Sequence, residues 1–179
     1  MEDLGFVFEI ELKSLLSEEQ YKRLEDELPK KYKLINEDTI HTTKYAPGDY
    51  RLRHSDKVYE FINKEGYITS ICRKKYKTTL NSMEELNSYI AVFENMELKP
   101  YKPWTKYKRE FECKLGEHIY VICLQNIHGF AYILKVEYLS DEENKEVHEP
   151  NLRKIISDLG CEPITPKEFL DKLTEYIKN

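Results

Sequence analysis

Gly5-Phe6-Val7-Phe8-Glu9-Ile10-Glu11-Leu12-Lys13 is the stretch on which the reading of this chain turns. Phe6, Phe8, Ile10 and Leu12 alternate with Val7, Glu9, Glu11 and Lys13, so a strand here has one apolar face and one largely charged face. Two carboxylates two residues apart repel each other unless a cation lies between them. Hard oxygen ligands of this kind suit Mg²⁺ or Mn²⁺, which bind phosphate as well. The plainer alternative is a sheet with one wetted face, on which the charges simply point into water.

The plain alternative weakens when further strands are set beside the first, because charge is sorted among them. Arg51 and Arg53 share a face of the stretch Tyr50–His54, and Lys106 and Lys108 share a face of Trp104–Lys114. Arg109 follows directly and would point to the opposite face unless a bulge intervenes. Arg73 and Lys75 form a further basic cluster on Tyr67–Tyr76, and Lys64 closes the stretch before it. Glu137 lies on a late strand, Phe130–Leu139, two residues after Lys135. Converging on one cavity, these side chains form a basic cradle with an acidic floor, suited to a polyanion bridged by a metal.

The remaining pattern is consistent with a mainly β chain with helices. Shorter β-like stretches fall at Tyr32–Ile35, Thr39–Tyr45 and Val58–Asn63, and His118–Leu124 follows a turn at Leu115-Gly116-Glu117. Lys64-Glu65-Gly66 reads as a second hairpin turn. Ser17-Glu18-Glu19-Gln20 and Ser82-Met83-Glu84-Glu85 are capping boxes, opening helices to about Leu28 and Met96. Asn151–Leu159 reads as a helix ended by Gly160, and Thr165-Pro166-Lys167-Glu168 combines an N-cap, a first-turn proline and a capping-box glutamate.

Composition narrows the function classes. The 179 residues carry 28 Lys and Arg against 33 Asp and Glu, a net charge of −5. That balance argues against an extended nucleic-acid surface. No apolar run approaches the ~18 residues of a membrane span, and the acidic start Met1-Glu2-Asp3-Leu4 does not read as a signal peptide, so a cytoplasmic chain with a single domain over 1–179 is expected. Cys72, Cys113, Cys123 and Cys161 are scattered and read as reduced, buried side chains. His41, His54, His118, His128 and His148 have no metal-ligand spacing and read as surface or loop residues. Trp104 reads as packing, and no glycine-rich phosphate loop is present.

In order along the chain these features resemble the CYTH domain of the triphosphate tunnel metalloenzymes. Glu9-Ile10-Glu11-Leu12-Lys13 resembles its Glu-x-Glu-x-Lys signature, Arg51-Leu52-Arg53 its Arg-x-Arg strand, and Phe61-Ile62-Asn63-Lys64 the strand that ends in lysine. Lys106-Tyr107-Lys108-Arg109-Glu110-Phe111 resembles its Lys-x-Arg-x-x-aromatic strand, and Phe130 to Glu137 the late strand that ends in Glu-x-Glu. The resemblance implies an α+β, mainly β fold: a closed eight-stranded antiparallel β-barrel forming a tunnel, with helices outside. It implies hydrolysis of inorganic triphosphate, thiamine triphosphate or a nucleoside or RNA 5′-triphosphate, with Mg²⁺ or Mn²⁺; a monomer or homodimer is expected. A class IV-type adenylate cyclase and a non-catalytic polyphosphate-binding tunnel are the alternatives. By the same resemblance Glu9, Glu11 and Glu137 hold metal, Glu9, Glu11 and Lys13 form the catalytic set, and Lys13, Arg51, Arg53, Lys64, Arg73, Lys75, Lys106, Lys108 and Arg109 hold phosphate.

Three positions depart from the family pattern. Lys135 stands where the first acid of the late Glu-x-Glu pair is usual. Lys108 replaces an arginine and so loses a bidentate fork. Tyr67–Lys75 lacks an acidic pair. The acidic set that remains, Glu9, Glu11 and Glu137, suits one metal rather than two.

Overall fold

The computed structural model describes residues 5–178. The acidic start read above, Met1 to Leu4, lies outside the described residues. In chain order the elements are β1 (Val7–Leu16), α1 (Glu18–Lys31), β2 (Lys33–Ala46), β3 (Tyr50–His54), β4 (Tyr59–Glu65) and β5 (Cys72–Leu80). They continue with α2 (Met83–Asn95), β6 (Lys99–Pro100), β7 (Trp104–Leu115), β8 (His118–Ile127), β9 (Ala131–Ser140), α3 (Lys145–Asp158) and α4 (Pro166–Lys178).

Eight strands run antiparallel in the order β3-β4-β5-β1-β9-β8-β7-β2, and pairing of β2 with β3 closes the ring. The two-residue β6 adds to the end of β2. Closure leaves no free edge along these eight strands. This is the mainly β tunnel fold that the sequence resemblance implied.

Apolar faces point outward, under helices, and charged faces point inward. Ile10 and Leu12 of β1 are 0% and 3% exposed, in one core with Phe111, Ile122, Leu134 and Val136 of neighbouring strands. α1 and α3 cover that core with Leu24, Leu28, Leu152 and Ile156. Truncating one such side chain, as in Ile10→Ala, costs about 2–5 kcal/mol. A second core lies under α2, where Leu86 and Phe93 meet Tyr45, Leu52 and Leu80.

The capping signals lie where the helices begin. Ser17 and Gln20 satisfy each other's backbone N–H groups at the start of α1. Thr165 and Glu168 pair in the same region of α4. β7 and β8 join through a two-residue turn, Gly116-Glu117, in which Gly116 takes φ +62°, a conformation open to glycine.

Several boundaries differ from the sequence expectation. Tyr32–Ile35 and Thr39–Tyr45 belong to one long strand, β2, with a register shift between Leu34 and Asn36. The intervening Asn36 and Asp38 looked like a break because they are polar, but both line the interior. Lys64 and Glu65 are paired strand residues, opposite Lys75 and Lys74, so the hairpin connection is longer than Lys64-Glu65-Gly66. β5 accordingly begins at Cys72 and runs on to Leu80. α3 begins at Lys145, six residues before Asn151, and contains Pro150. Its first turns are held by His148, which is 1% exposed, stacks on Tyr138 and bonds the Tyr120 hydroxyl at 3.0 Å. That corrects the reading of His148 as a surface residue. All four cysteines are buried and free. No helix among the described residues is long and apolar enough to cross a membrane.

Candidate functional site

The inward faces of the strands line one cavity of about 1060 Å³. Twelve Lys and Arg side chains and six carboxylates border it, an excess of positive charge inside a chain of net charge −5. β1 contributes Glu9, Glu11 and Lys13. β3 contributes Arg51 and Arg53, β4 Lys64, and β5 Arg73 and Lys75. β7 contributes Lys106 and Lys108, and β9 contributes Lys135 and Glu137. Regular period-2 alternation aims each set inward, as the sequence pattern predicted.

Arg109 is not among them. β2 and β7 stay in register from Asn36 to Thr42, with no bulge at this point, so Arg109 turns to the outside. There its Nη1 donates to the Glu25 carbonyl of α1 at 3.3 Å, its guanidinium lies over Phe111, and its Nε is 3.7 Å from Glu37.

Carboxylate oxygens of Glu9, Glu11 and Glu137 lie within 4.8 Å of one another. Cross-strand pairing brings them together: Glu11 is the direct register partner of Glu137. Glu9 is held by Lys64 and, at 2.7 Å, by Lys75. Glu11 is held by Lys13, with Lys64 at 3.8 Å and Lys135 at 3.7 Å. Glu137 accepts from Lys135. Burial pushes the carboxyls of Glu9 and Glu11 up, but the surrounding ammonium groups outweigh it and hold both far below the ordinary carboxylate range. Burial also opposes the charge of Lys135, yet Glu137, Glu11 and Glu9 raise it well above an ordinary lysine. Three ionised, convergent oxygen donors fit one hard divalent cation.

Residues that the sequence reading passed over complete the site. Asp49, 3% exposed, precedes β3 and accepts two bonds from Arg51, at 2.7 and 2.9 Å. Arg73 donates to the same carboxylate at 2.7 Å, and Lys44 lies 3.8 Å away. Glu60 pairs with Lys77 at 2.6 Å, and Glu110 with Lys108 at 2.9 Å. All three acids sit two residues from a predicted cavity residue or its strand-mate: Asp49 from Arg51, Glu60 from Ile62, Glu110 from Lys108. Period-2 spacing would therefore have found them. Lys135, two residues before Glu137 on β9, also faces the cavity.

Leaving aside the exposed Lys57, which bonds the Glu37 carbonyl, two of the cavity's cations are left without a carboxylate. Among the described residues, neither Arg53 nor Lys106 has an ion pair, and the buried Nε of Arg53 has no hydrogen-bond partner. Burial and the neighbouring Arg53 push the Lys106 ammonium well below its ordinary value. Burial and the adjacent Arg51 lower Arg53 in the same way. Unpaired buried charge is costly, so this pair forms the part of the cavity most favourable to an anion.

The comparisons with known proteins agree with this architecture. No protein-family model matches the sequence, and neither does any curated protein. Among solved structures, the PH1819 protein of Pyrococcus horikoshii OT3 superposes with a TM-score of 0.74 at 18% identity, over 94% of this chain and 99% of that one. A Bacillus halodurans protein provisionally called an adenylate cyclase gives a TM-score of 0.61 at 16% identity, over 90% and 94% of the two chains. HpAC1 from Hippeastrum, also provisionally called an adenylyl cyclase and described as having a dominant triphosphatase activity, gives 0.59 at 13%, over 89% and 90%. The fold of this chain is therefore the one these structures share, an antiparallel ring of eight strands around a cavity.

Proposed function

We propose that this protein is a divalent-metal-dependent triphosphatase that cleaves the terminal phosphate of a triphosphate bound in the tunnel. The observation that carries this reading is the pairing, in one cavity, of an excess of Lys and Arg with three convergent carboxylates. The likeness of fold to HpAC1, described as dominantly a triphosphatase, adds support.

In this reading Arg53 and Lys106 take phosphate oxygens first, because they give up no existing ion pair. Arg51 and Arg73, aligned by Asp49, supply further N–H donors along the chain of phosphates. Glu9, Glu11 and Glu137 would hold Mg²⁺ or Mn²⁺, which supplies charge neutralisation at the phosphoryl oxygens. The lysines paired with those carboxylates, Lys13, Lys64, Lys75 and Lys135, line the same cavity and would also face the polyanion. They stabilise the charge that develops on the leaving diphosphate while water attacks in line.

A second reading, a tunnel that binds a polyphosphate without turning it over, is favoured by Lys135, whose ammonium lies against Glu137 and Glu11. One experiment tests both. Pure protein is incubated with inorganic triphosphate, thiamine triphosphate or ATP, with Mg²⁺ or Mn²⁺, and phosphate, cyclic AMP and bound ligand are measured. Phosphate release supports the triphosphatase; binding alone supports the second reading; cyclic AMP would replace both with a cyclase.

A further inference from the structure

A pair of imidazoles stands on the outside of the barrel, where the ring closes. His41 of β2 and His54 of β3 are direct register partners, at one end of the antiparallel match that joins the two sides of the sheet. Their rings stack at 4.9 Å between centres, with 26° between planes. Strand alternation separates them from the tunnel: Ile40, Lys44, Arg51 and Arg53 line the cavity, so His41 and His54 turn to the outer surface. The order of the histidines along the sequence gives no sign of this, because strand pairing alone makes the pair.

The His41 ring is held as a metal ligand is held. Its Nδ1 lies 2.9 Å from the Thr105 hydroxyl of β7, the strand on its other side. With the hydrogen on Nδ1, Thr105 Oγ1 accepts it and Nε2 keeps the lone pair that a metal needs. Metal-bound histidines are oriented by this kind of bond to the second nitrogen. Among the described residues no hydrogen bond engages the His54 ring, so it gives up no polar partner in turning a lone pair toward the same point. Two nitrogens on one tetrahedral zinc lie roughly 3.4 Å apart, given bonds of about 2.0–2.1 Å. Rings 4.9 Å apart between centres reach that separation by tilting. Burial and the neighbouring His41 lower the pKa of His54 and favour its neutral form, the one that ligates.

A second close pair, His118 and His148, is built differently. Its ring centres also lie 4.9 Å apart. There Asn151 donates to the Tyr120 hydroxyl at 2.7 Å, which directs the hydroxyl hydrogen to His148 Nδ1 at 3.0 Å. Neutral His148 then carries its own hydrogen on Nε2 and has no lone pair left for a metal, and its ring is buried. That pair packs α3 against the barrel, whereas His41 is open to solvent.

We propose that His41 and His54 form a site for a borderline divalent cation, of the Zn²⁺, Ni²⁺ and Cu²⁺ class that imidazole favours, with water completing the coordination. This site is separate from the carboxylate cluster inside the tunnel, whose oxygens suit hard ions, and it does not depend on what the tunnel binds. The ion bridges β2 to β3 at the seam that closes the ring. Because it binds the paired strands better than the unfolded chain, it stabilises the closed barrel by mass action.

The test uses the full chain, stripped of metal with EDTA and dialysed. Zn²⁺ is titrated in by calorimetry, and the protein is melted with and without it. The variants are His41→Gln, His54→Gln and Thr105→Val, at positions that are exposed or half-buried. Wild type binds Zn²⁺ and its Tm rises. Each histidine variant lacks one binding step and shows a smaller rise. Thr105→Val weakens that step by about tenfold, the scale of losing an orienting partner. Cu²⁺ at one equivalent separates this pair from the tunnel carboxylates, since imidazoles add nitrogen splitting to the EPR signal and oxygen ligands do not. Failure of wild type to take up Zn²⁺, or the same isotherm and Tm rise in wild type and both histidine variants, overturns the site. So does a Cu²⁺ signal without nitrogen splitting, or a splitting that survives unchanged in both variants.

Discussion

Asp49 and Arg73 are 24 residues apart in sequence, yet the Arg73 guanidinium donates to the buried Asp49 carboxylate at 2.7 Å, which also takes two bonds from Arg51. One carboxylate thus orients two of the cavity's arginines. Burial pushes its carboxyl up, and Arg51, Lys44 and Arg73 outweigh this to hold it far below the ordinary range. Asp49→Asn leaves two buried guanidiniums short of a counter-ion, a change on the scale of about 3–5 kcal/mol for a broken buried pair. A polyanion replaces the missing charge. The expected result is a lower Tm than wild type and a larger rise in Tm on adding inorganic triphosphate. An equal rise in both proteins would count against a shared anion site at these arginines.

Glu9 and Glu11 should differ in what their removal does to the fold. Glu9 is buried and answers two lysines, so Glu9→Gln destabilises by roughly 3–5 kcal/mol in the metal-free protein. Glu11 answers Lys13, which is 24% exposed and can turn to solvent, so Glu11→Gln costs less. Both variants lose divalent-dependent turnover. Denaturant melts together with Mn²⁺-dependent phosphate release check the pair. Full turnover in either would remove that carboxylate from the proposed metal site.

Lys135 sets the balance between metal and anion. Its ammonium adjoins two of the three convergent carboxylates. Lys135→Gln removes a charge worth ~1–4 kcal/mol at such distances. Mn²⁺ binding, followed by calorimetry, should tighten by about tenfold on that scale. Metal-free triphosphate binding should weaken. No change in either affinity would show that Lys135 lies outside the working part of the tunnel.

Binding of the anion should take up protons. Burial and the charge of Arg53 depress the Lys106 ammonium, while an unfolded lysine titrates near its ordinary ~10.4. Between the depressed value and that ordinary one the folded chain holds fewer protons than the unfolded chain. Lys106 therefore lowers stability below this window, and the deficit is relieved as pH rises through it. A bound polyphosphate raises Lys106 again, so affinity falls with rising pH across the same window. In Lys106→Arg the charge persists and the slope flattens. Calorimetry in buffers of different ionisation enthalpy measures the proton uptake directly; zero uptake in the wild type would refute the assignment.

Acid should loosen α3. His148 is buried against Tyr138 and Tyr120, with His118 at 4.9 Å between ring centres. Burial, reinforced by His118, lowers its pKa. The unfolded chain then takes up the proton first, so this contribution to stability is present above about 6.5 and is lost as pH falls through the folded value. Tm should drop more steeply between pH 7 and pH 5 in wild type than in His148→Phe, which keeps an aromatic ring against Tyr138. Parallel pH profiles would dissociate His148 from the acid response.

The local features of this chain were legible one strand or one helix at a time. Alternation in Phe6 to Lys13 divides a core face from a cavity face, Ser17 and Thr165 mark helix starts, and Gly116 marks a hairpin, because each depends on residues within a few positions of one another. Period 2 states which residues share a face but not which face turns inward, and this sheet is covered on both sides, with charge inside and apolar contacts outside. Only ring closure resolved that. It turned Arg109 out to α1, drew Asp49 between Arg51 and Arg73, and set β9 beside β1 so that Lys135 meets Glu11. It also buried His148, whose partners Tyr120 and Tyr138 lie on other elements. Apart from Asp49 with Arg51, these relationships join residues from 10 to 124 positions apart along the chain. No local propensity encodes them, since a charge in the interior is tolerated only after its counter-ion arrives from another strand.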